Sequence, residues 1–313
     1  MGAKTEKSNG EAVMSTITVV IPTYNEEKNI AECILSCRDI AERILLLDNL
    51  STDATKEIAE SLGAEVYQTE RSYKERIAML DGEIPIHTDW ILYLDADERL
   101  TPESARELKE LCDRYAETEV NGIVCRYRQR FMGKDLNYGD SVGRKLRVFK
   151  PGKAYMEDME LDEHIVLRSG RCVYMNNPFI HFSYKGLEHW IAKHNNYSKR
   201  HAKEFLEIKS GRREIRLEGL AGFTKLRRIL KFKLYYRLPP GLRAWMYFAY
   251  RYYLRLGFLD GRIGRMYLFF KAYWYRYLTD AYILELQNQQ GLVEPGARQE
   301  ALQAQISQKK VEI

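Results

Sequence analysis

Over the first hundred residues, short apolar runs alternate with segments of helical period, and this alternation predicts an α/β unit. Ile17–Ile21 is a β-branched run stopped by Pro22, and between Glu26 and Asp39 the residues Ile30, Cys33, Ile34 and Cys37 recur at the spacing of one helix face. Ile44–Leu47 repeats the run, Asp48–Asp53 forms a polar loop, and Ala54–Leu62 reads as a helix closed by Gly63. Glu65–Gln68 is a third strand, and Ile91–Leu94 a fourth, short and wholly apolar in the manner of a central parallel strand. Thr101-Pro102-Glu103 supplies the cap and first turn of an amphipathic helix through Tyr115, and Gly122–Arg128 and Leu146–Phe149 read as further strands. Strands joined by helices argue for a doubly wound, Rossmann-like and mostly parallel sheet with helices on both faces.

The chemistry gathers in the loops that follow these strands. Open α/β sheets bind ligands beyond the carboxyl ends of their strands, and there the chain places Pro22-Thr23-Tyr24-Asn25-Glu26, then Asp48 to Asp53, then Asp95-Ala96-Asp97. Each loop alone is an ordinary turn or helix cap. Together they bring carboxylates and amides able to read a pyrimidine edge and ribose hydroxyls, beside a D-x-D able to hold a divalent cation against phosphates. Neither Gly-rich phosphate loop is present, so phosphate charge falls to a metal and to basic side chains such as Lys74 or Arg76.

The segments V-V-I-P-T-Y-N-E-E, L-L-L-D-N-L-S-T-D-A-T and W-I-L-Y-L-D-A-D-E-R, in this order and spacing, resemble the N-terminal half of the inverting family 2 glycosyltransferases, which have the GT-A fold. The D-A-D-E-R form, with Asp162-Glu163-His164, Phe179-Ile180-His181 and the stretch from His189 to Tyr197, is similar to the bacterial lipopolysaccharide-core and exopolysaccharide glucosyltransferases. The resemblance implies that Thr23, Asn25, Glu26 and Asp48, with their neighbours Pro22 and Tyr24, hold the nucleoside. It assigns the diphosphate and a Mn2+ or Mg2+ ion to Asp95, Ala96 and Asp97. Asn49 departs from the pattern, standing where many members carry a second Asp.

Inverting transfer needs a base for the acceptor hydroxyl, and the resemblance places it at Asp162 or Glu163, favouring Glu163, although an acidic surface loop would also explain that charge-rich run. His181 is a candidate third metal ligand, with a capped strand end as the plain alternative. His189, His194 and His201 lack the i, i+4 spacing of a helical metal site and read as a solvated helix.

Composition changes the picture at the C-terminal side. The chain of 313 residues carries +5 overall, but Lys199–Asp280 holds 20 Lys and Arg against 6 Asp and Glu, an excess of 14 that leaves the remainder at −9. Read as one helix, Leu242–Arg265 would group Arg243, Arg251, Arg255, Arg262 and Arg265 on one side, the layout of a helix lying in a membrane interface. No run there is long and apolar enough to span a bilayer. Nucleic acid is the rival partner, but no nucleic-acid module accompanies the basic residues, and packing or a homo-oligomer contact is the plain reading. Five cysteines without paired short spacing, and no signal peptide, point to the cytoplasm.

The expected organisation is therefore a loose tail (1–15), a GT-A domain (16–205), a basic helical region (206–285) and a polar tail (286–313). The expected activity is hexose transfer from a nucleotide-diphosphate sugar to a lipopolysaccharide-core, exopolysaccharide or lipid-linked acceptor, at an anionic membrane surface on the inner face of the cytoplasmic membrane. A polyprenyl phosphate acceptor, a sugar nucleotidyltransferase and a non-catalytic membrane scaffold are the alternatives.

Overall fold

The computed structural model describes residues 14–157, 164–182, 186–212 and 235–289, the side chain of Lys74 excepted, and they form two compact units. The first contains the chain up to Leu187 together with Arg255–Arg265; the second contains Glu188–Leu254 and the chain from Met266 onward.

The strands of the first unit are β1 (Ile17–Thr23), β2 (Arg43–Asp48), β3 (Glu65–Gln68), β4 (Trp90–Tyr93), β5 (Glu98–Arg99), β6 (Val120–Phe131), β7 (Lys134–Asp135), β8 (Val142–Phe149), β9 (Ala154–Met156), β10 (Ile165–Leu167) and β11 (Arg171–His181). The main sheet runs β3-β2-β1-β4-β8-β6-β11-β5, with β7 paired to β6, while β9 and β10 form a separate hairpin. From β3 to β4 all pairings are parallel, as the apolar runs predict; β8 then runs antiparallel to β4 and β6, and β11 lies parallel to β6. Parallel register, Thr23 opposite Asp48 and Val20 opposite Tyr93, opens the loops after β1, β2 and β4 on the same sheet edge.

Side chains alternate between two core layers, one on each face. Val19, Ile21, Leu46, Trp90 and Leu92 pack with Ile30, Cys33, Ile34 and Cys37 of helix α1 (Ile30–Cys37) and with Leu108 and Cys112 of a later helix. Val20, Leu45, Leu47, Ile91 and Tyr93 pack on the opposite face with Ile77, Met79 and Leu80. Helices α2 (Thr55–Ser61), α3 (Tyr73–Ala78) and α4 (Pro102–Tyr115) complete the crossovers. The limits of α4 are set by its sequence: Thr101 accepts from Ser104 N, Ser104 answers at Thr101 N, and Pro102 needs no partner at the first position. Ser15, assigned to the loose tail, is buried and bonded through its backbone N to Asp113 and its Oγ to Cys112 O.

β11 is irregular on purpose. Tyr174 pairs with Val124 and Pro178 with Arg126, so the intervening residues bulge out of register, and the Glu107 carboxylate of α4 receives the backbone N–H groups of Asn176 and Asn177. Pro178 offers no N–H to the ladder, which suits a bulge.

Among the described residues the remaining α-helices are α5 (Leu187–Lys209), α6 (Leu242–Ala249), α7 (Gly261–Leu268) and α8 (Tyr275–Gln289). They correct two expectations. The stretch from Leu242 to Arg265 is not one helix: α6 passes into a π-turn at Tyr250–Leu254, Leu256 takes φ +56°, and a 3₁₀ turn covers Gly257–Asp260. Arg255–Arg265 belongs with the first unit, where the Asp260 carboxylate accepts from the backbone of Asn137 and Tyr138, Lys134 Nζ donates to Asp260 O, and Arg255 pairs with Asp140. The arginines do not share an outer face either. Arg243 and Arg251 are 3% and 4% exposed, and Arg243 pairs with Asp280 while lying over the Tyr235 and Tyr236 rings. What α6 and the following turn expose is apolar: Leu242, Trp245, Met246, Tyr250, Tyr253 and Leu254.

The histidines of α5 correct the second expectation, that of a solvated helix. His189 is exposed, but His194 and His201 are buried. The His194 ring stacks on Trp190 at 3.6 Å, its Nδ1 donates to Trp190 O, and its Nε2 accepts from Lys271. Burial, reinforced by the Lys271 charge, pushes its pKa down to about 3. No helix among the described residues is long and apolar enough to cross a membrane.

Candidate active site

The loops after β1 and β2 are cross-bonded into one rim. Asn25 N donates to Ser51 Oγ, Asn25 Oδ1 accepts from Thr52 N, and Glu26 N donates to Thr55 Oγ1. Asn25 and Leu50 both adopt left-handed backbone, φ +53° and +57°, a conformation that cross-bonded loops at functional edges can hold. Tyr24 is 57% exposed and Leu50 43%, so both present apolar surface on this rim.

Several residues expected to touch substrate are consumed in building the rim. Pro22 and Thr23 are buried, and Thr23 Oγ1 donates to Asp48. Asp48, fully buried, also accepts from Ser51 N, Ser51 Oγ and Gln68 Nε2. Arg76 is 6% exposed, with Nη1 donating to the carbonyls of Thr23 and Leu47; it ties two strand ends together from within and is not placed to meet phosphate. The side chain of Lys74, the other expected phosphate cation, lies outside the described residues. Asn49 has a structural reason to differ from Asp: with its amide turned to satisfy its surroundings, the nitrogen donates to the carbonyls of Thr69 and Arg71, 3.1 Å from each, and a carboxylate has no hydrogen to give them.

The D-x-D turn is fixed by the two residues after it. Arg99 folds back to donate to the carbonyls of Ala96 and Glu98, and Glu98 N donates to Asp95 O. β5 pairs with the end of β11, Glu98 opposite His181, and Phe182 N donates to Asp97 O. This ladder brings His181 Nε2 to 3.3 Å from Asp97 Oδ2 and leaves His181 Nδ1 buried without a hydrogen-bond partner.

Asp95 is held differently. Tyr73 Oη of α3 donates to its Oδ1 at 2.8 Å, and Arg147 of β8 donates to its Oδ2 while a further bond from the same Nη2 reaches Glu98 Oε1 at 2.7 Å. Burial acts to raise the Asp95 carboxyl, but the Arg147 guanidinium, with Lys145 and Tyr73, prevails and holds it below its ordinary value. Lys145 lies 5.3 Å over the Tyr127 ring, whose edge meets His181 with centroids 5.9 Å apart. Sequence reading misses Tyr73, Tyr127, Lys145 and Arg147. For Arg147 a signal exists: a lone charge within the apolar run Leu146–Phe149 demands a buried partner.

A Mn2+ or Mg2+ ion fits part of the expected donor set. Such ions take one or two side-chain ligands and complete their shell with water and substrate phosphate, which Asp97 and His181 allow. Both oxygens of Asp95 already accept hydrogen bonds, from Tyr73 and Arg147, and among the described residues no group of three or more His, Cys, Asp or Glu is placed to hold a metal. Asp162 and Glu163, the candidate bases, lie outside the described residues; of the residues that flank them in sequence, Glu157 donates through its backbone N to His164 O.

Residues 18–180 match the model of the family described as Glycosyl transferase family 2. An uncharacterized glycosyltransferase of Rickettsia bellii (strain RML369-C) is 28% identical over 269 residues, covering 79% of this chain and 86% of that protein. One from Rickettsia typhi (strain ATCC VR-144 / Wilmington) is 27% identical, covering 64% and 70%. Among solved structures the chain is similar to S. aureus TarS (TM-score 0.40, 15% identity, 70% of this chain and 43% of that one). It is also similar to M. tuberculosis glucosyl-3-phosphoglycerate synthase (TM-score 0.31, 23% identity, 37% and 47%), so it spans less than half the length of either solved protein. On the family match over most of the catalytic unit, this chain belongs to glycosyl transferase family 2.

Proposed function

We propose that this glycosyltransferase is inverting and metal-dependent, moving a hexose from a nucleotide-diphosphate sugar to a lipopolysaccharide-core, exopolysaccharide or lipid-linked acceptor. The observation that carries the reading is the Asp97–His181 pair, 3.3 Å apart on the sheet edge that also bears the Tyr24–Glu26 rim. The chemistry a bound Mn2+ or Mg2+ ion supplies is neutralisation of the charge that builds on the departing diphosphate. Asp97 and His181 would hold that ion, while Tyr24, Asn25 and Glu26 would seat the nucleoside. Glu163, or Asp162 beside it, would take the acceptor hydroxyl's proton as its oxygen attacks the anomeric carbon. The test is a panel of nucleotide sugars scored by thermal stabilisation with and without Mn2+, since a ligand of the native state alone raises its stability. Stabilisation by a nucleotide sugar only when Mn2+ is present supports the reading; stabilisation unchanged by EDTA refutes the metal.

The acceptor reading places the enzyme on the inner face of the cytoplasmic membrane. Its support is the exposed apolar series from Leu242 to Leu254, within a region carrying an excess of 14 positive charges between Lys199 and Asp280. Co-sedimentation with anionic liposomes should fall sharply when Trp245, Tyr253 and Leu254 are changed together to Glu. Equal sedimentation of the two proteins would refute the attachment.

A further inference from the structure

The carboxylate of Asp95 is gripped by residues from two other elements, and neither belongs to the loops that make the donor rim. Tyr73 stands at the start of α3, where Ser72 and Glu75 form a reciprocal capping box that fixes the first turn. Arg147 lies in β8, opposite β4 across an antiparallel pairing, and is 4% exposed. One guanidinium nitrogen bridges Asp95 and Glu98, both at the D-x-D turn, and the Arg147 Nε has no hydrogen-bond partner.

That arrangement is poor as a stabilising device. Burying a cation between two carboxylates carries a large desolvation cost, and apolar replacements of similar volume often match or exceed the stability of such bridges. What the bridge does achieve is orientation: with Tyr73 on Oδ1 and Arg147 on Oδ2, the Asp95 carboxyl plane is fixed at a sheet edge, beside Asp97 and His181, before any ligand arrives. Preorganised groups bind and react without reorganising, and small displacements at such sites are costly.

We infer that Arg147, with Tyr73, is a positioning residue that presets the Asp95 carboxylate for a metal–nucleoside diphosphate. The inference rests on the donor-site reading of this edge. Glu98, 1% exposed, is the counter-anchor that keeps the guanidinium from following Asp95 if that carboxylate moves.

The experiment compares wild type, Arg147→Met, Arg147→Met/Glu98→Gln, Arg147→Lys and Tyr73→Phe by calorimetric titration of Mn2+ with UDP, GDP and dTDP in parallel, alongside thermal melts and steady-state kinetics. Arg147→Met alone strands Glu98, so its stability is expected to fall; the double variant removes the two fully buried charges, leaves the part-exposed Asp95 bonded to Tyr73, and restores the melt. Positioning requires that the double variant, folded as well as wild type, still binds the Mn2+–nucleotide at least tenfold more weakly. It also requires that Arg147→Lys recovers part of the affinity, and that donor KM rises more than kcat falls. Tyr73→Phe should give a smaller loss in the same direction. Wild-type affinity in the stable double variant overturns the positioning role and leaves the donor reading intact. Absence of Mn2+-dependent binding of any of the three nucleotides to wild type overturns the donor reading and the inference with it.

Discussion

Arg243 and Asp280 make the most quantitative prediction. The pair is 4% and 2% exposed at the side chains, and the Asp280 carboxylate receives Arg243 Nε at 2.8 Å, Arg243 Nη2 at 2.5 Å and Gly241 N at 3.0 Å. Arg243 also donates to Tyr236 O and is covered by the Tyr235 and Tyr236 rings. Replacing Asp280 by Ala strands a guanidinium in a low-dielectric pocket, and breaking a buried pair from one side costs about 3–5 kcal/mol. At about 4–8 °C per kcal/mol for a unit of roughly a hundred residues, the melting midpoint of the second unit should fall by on the order of 20 °C. Arg243→Met with Asp280→Leu removes both charges and should lie within about 1–2 kcal/mol of wild type, so the coupling energy of the cycle is large. Trp190, Trp245 and Trp274 belong to the second unit and Trp90 to the first, so tryptophan fluorescence in urea on a Trp90→Phe background reports the second unit's unfolding. A loss below about 1 kcal/mol for Asp280→Ala would mean that Arg243 faces water, as an outward arginine stripe requires, and the buried placement would be refuted. The result also bears on membrane binding: charge reversal at Arg243 or Arg251 would abolish it by damaging the unit, so a surface test belongs on Trp245, Tyr253 and Leu254.

Glu163→Gln should lower turnover by about 10²-fold with nucleotide-sugar affinity kept, and the same result for Asp162→Asn instead would move the base by one residue; if neither changes turnover, a phosphate acceptor, already ionised, gains. A Cβ at Gly143 would clash with the hydroxyl end of Tyr127, 2.2 Å from its Cζ, so Gly143→Ala should cost about 1–3 kcal/mol and weaken Mn2+-dependent nucleotide binding by pushing Tyr127 from the His181 edge, read by melts and calorimetry. His194, with a folded value of about 3 against an ordinary value of 6.5, leaves the native chain one proton short of the unfolded chain between those limits. Its stability contribution is therefore complete above pH 6.5 and lost on acidification, by up to about 1.4 kcal/mol per pH unit, and His194→Gln should flatten that part of a denaturation-midpoint profile.

Strands β1, β2 and β4 were legible because their apolar runs are largely buried on both faces and bounded by Pro or Asp. The limits of α4 were legible because capping is local chemistry. His181 could be nominated by resemblance but not placed, since its partner Asp97 is reached only through the β5–β11 ladder. Arg76 and Arg147 misled or escaped for the same reason: a long side chain can turn inward when carbonyls or carboxylates from distant segments wait for it, and no periodicity records them. The same reversal governs α6, where an outer arginine stripe is expected and Arg243 and Arg251 turn inward instead. The signal that could have corrected this is Asp280, the sole acid between Gly261 and Leu284, in a stretch dense with Tyr and Arg. Leu256 in left-handed backbone broke the imagined long helix, a conformation so rare for leucine that only the following Gly257 hinted at it.

The bulge of β11 has a consequence for how the chain tolerates changes in length. Four steps along β11, from Tyr174 to Pro178, match two along β6, and Glu107 pins the surplus to α4. An extra or missing residue at Met175–Asn177 can thus be absorbed there, and the upstream part of the strand can drift without disturbing the rungs from Pro178 to His181. The same insertion between Phe179 and His181 has no such refuge: the side-chain period of two would turn His181 to the opposite face and separate it from Asp97. Two positions a few residues apart on one strand therefore differ between harmless and fatal for indels, with the bulge serving as the expansion joint between them.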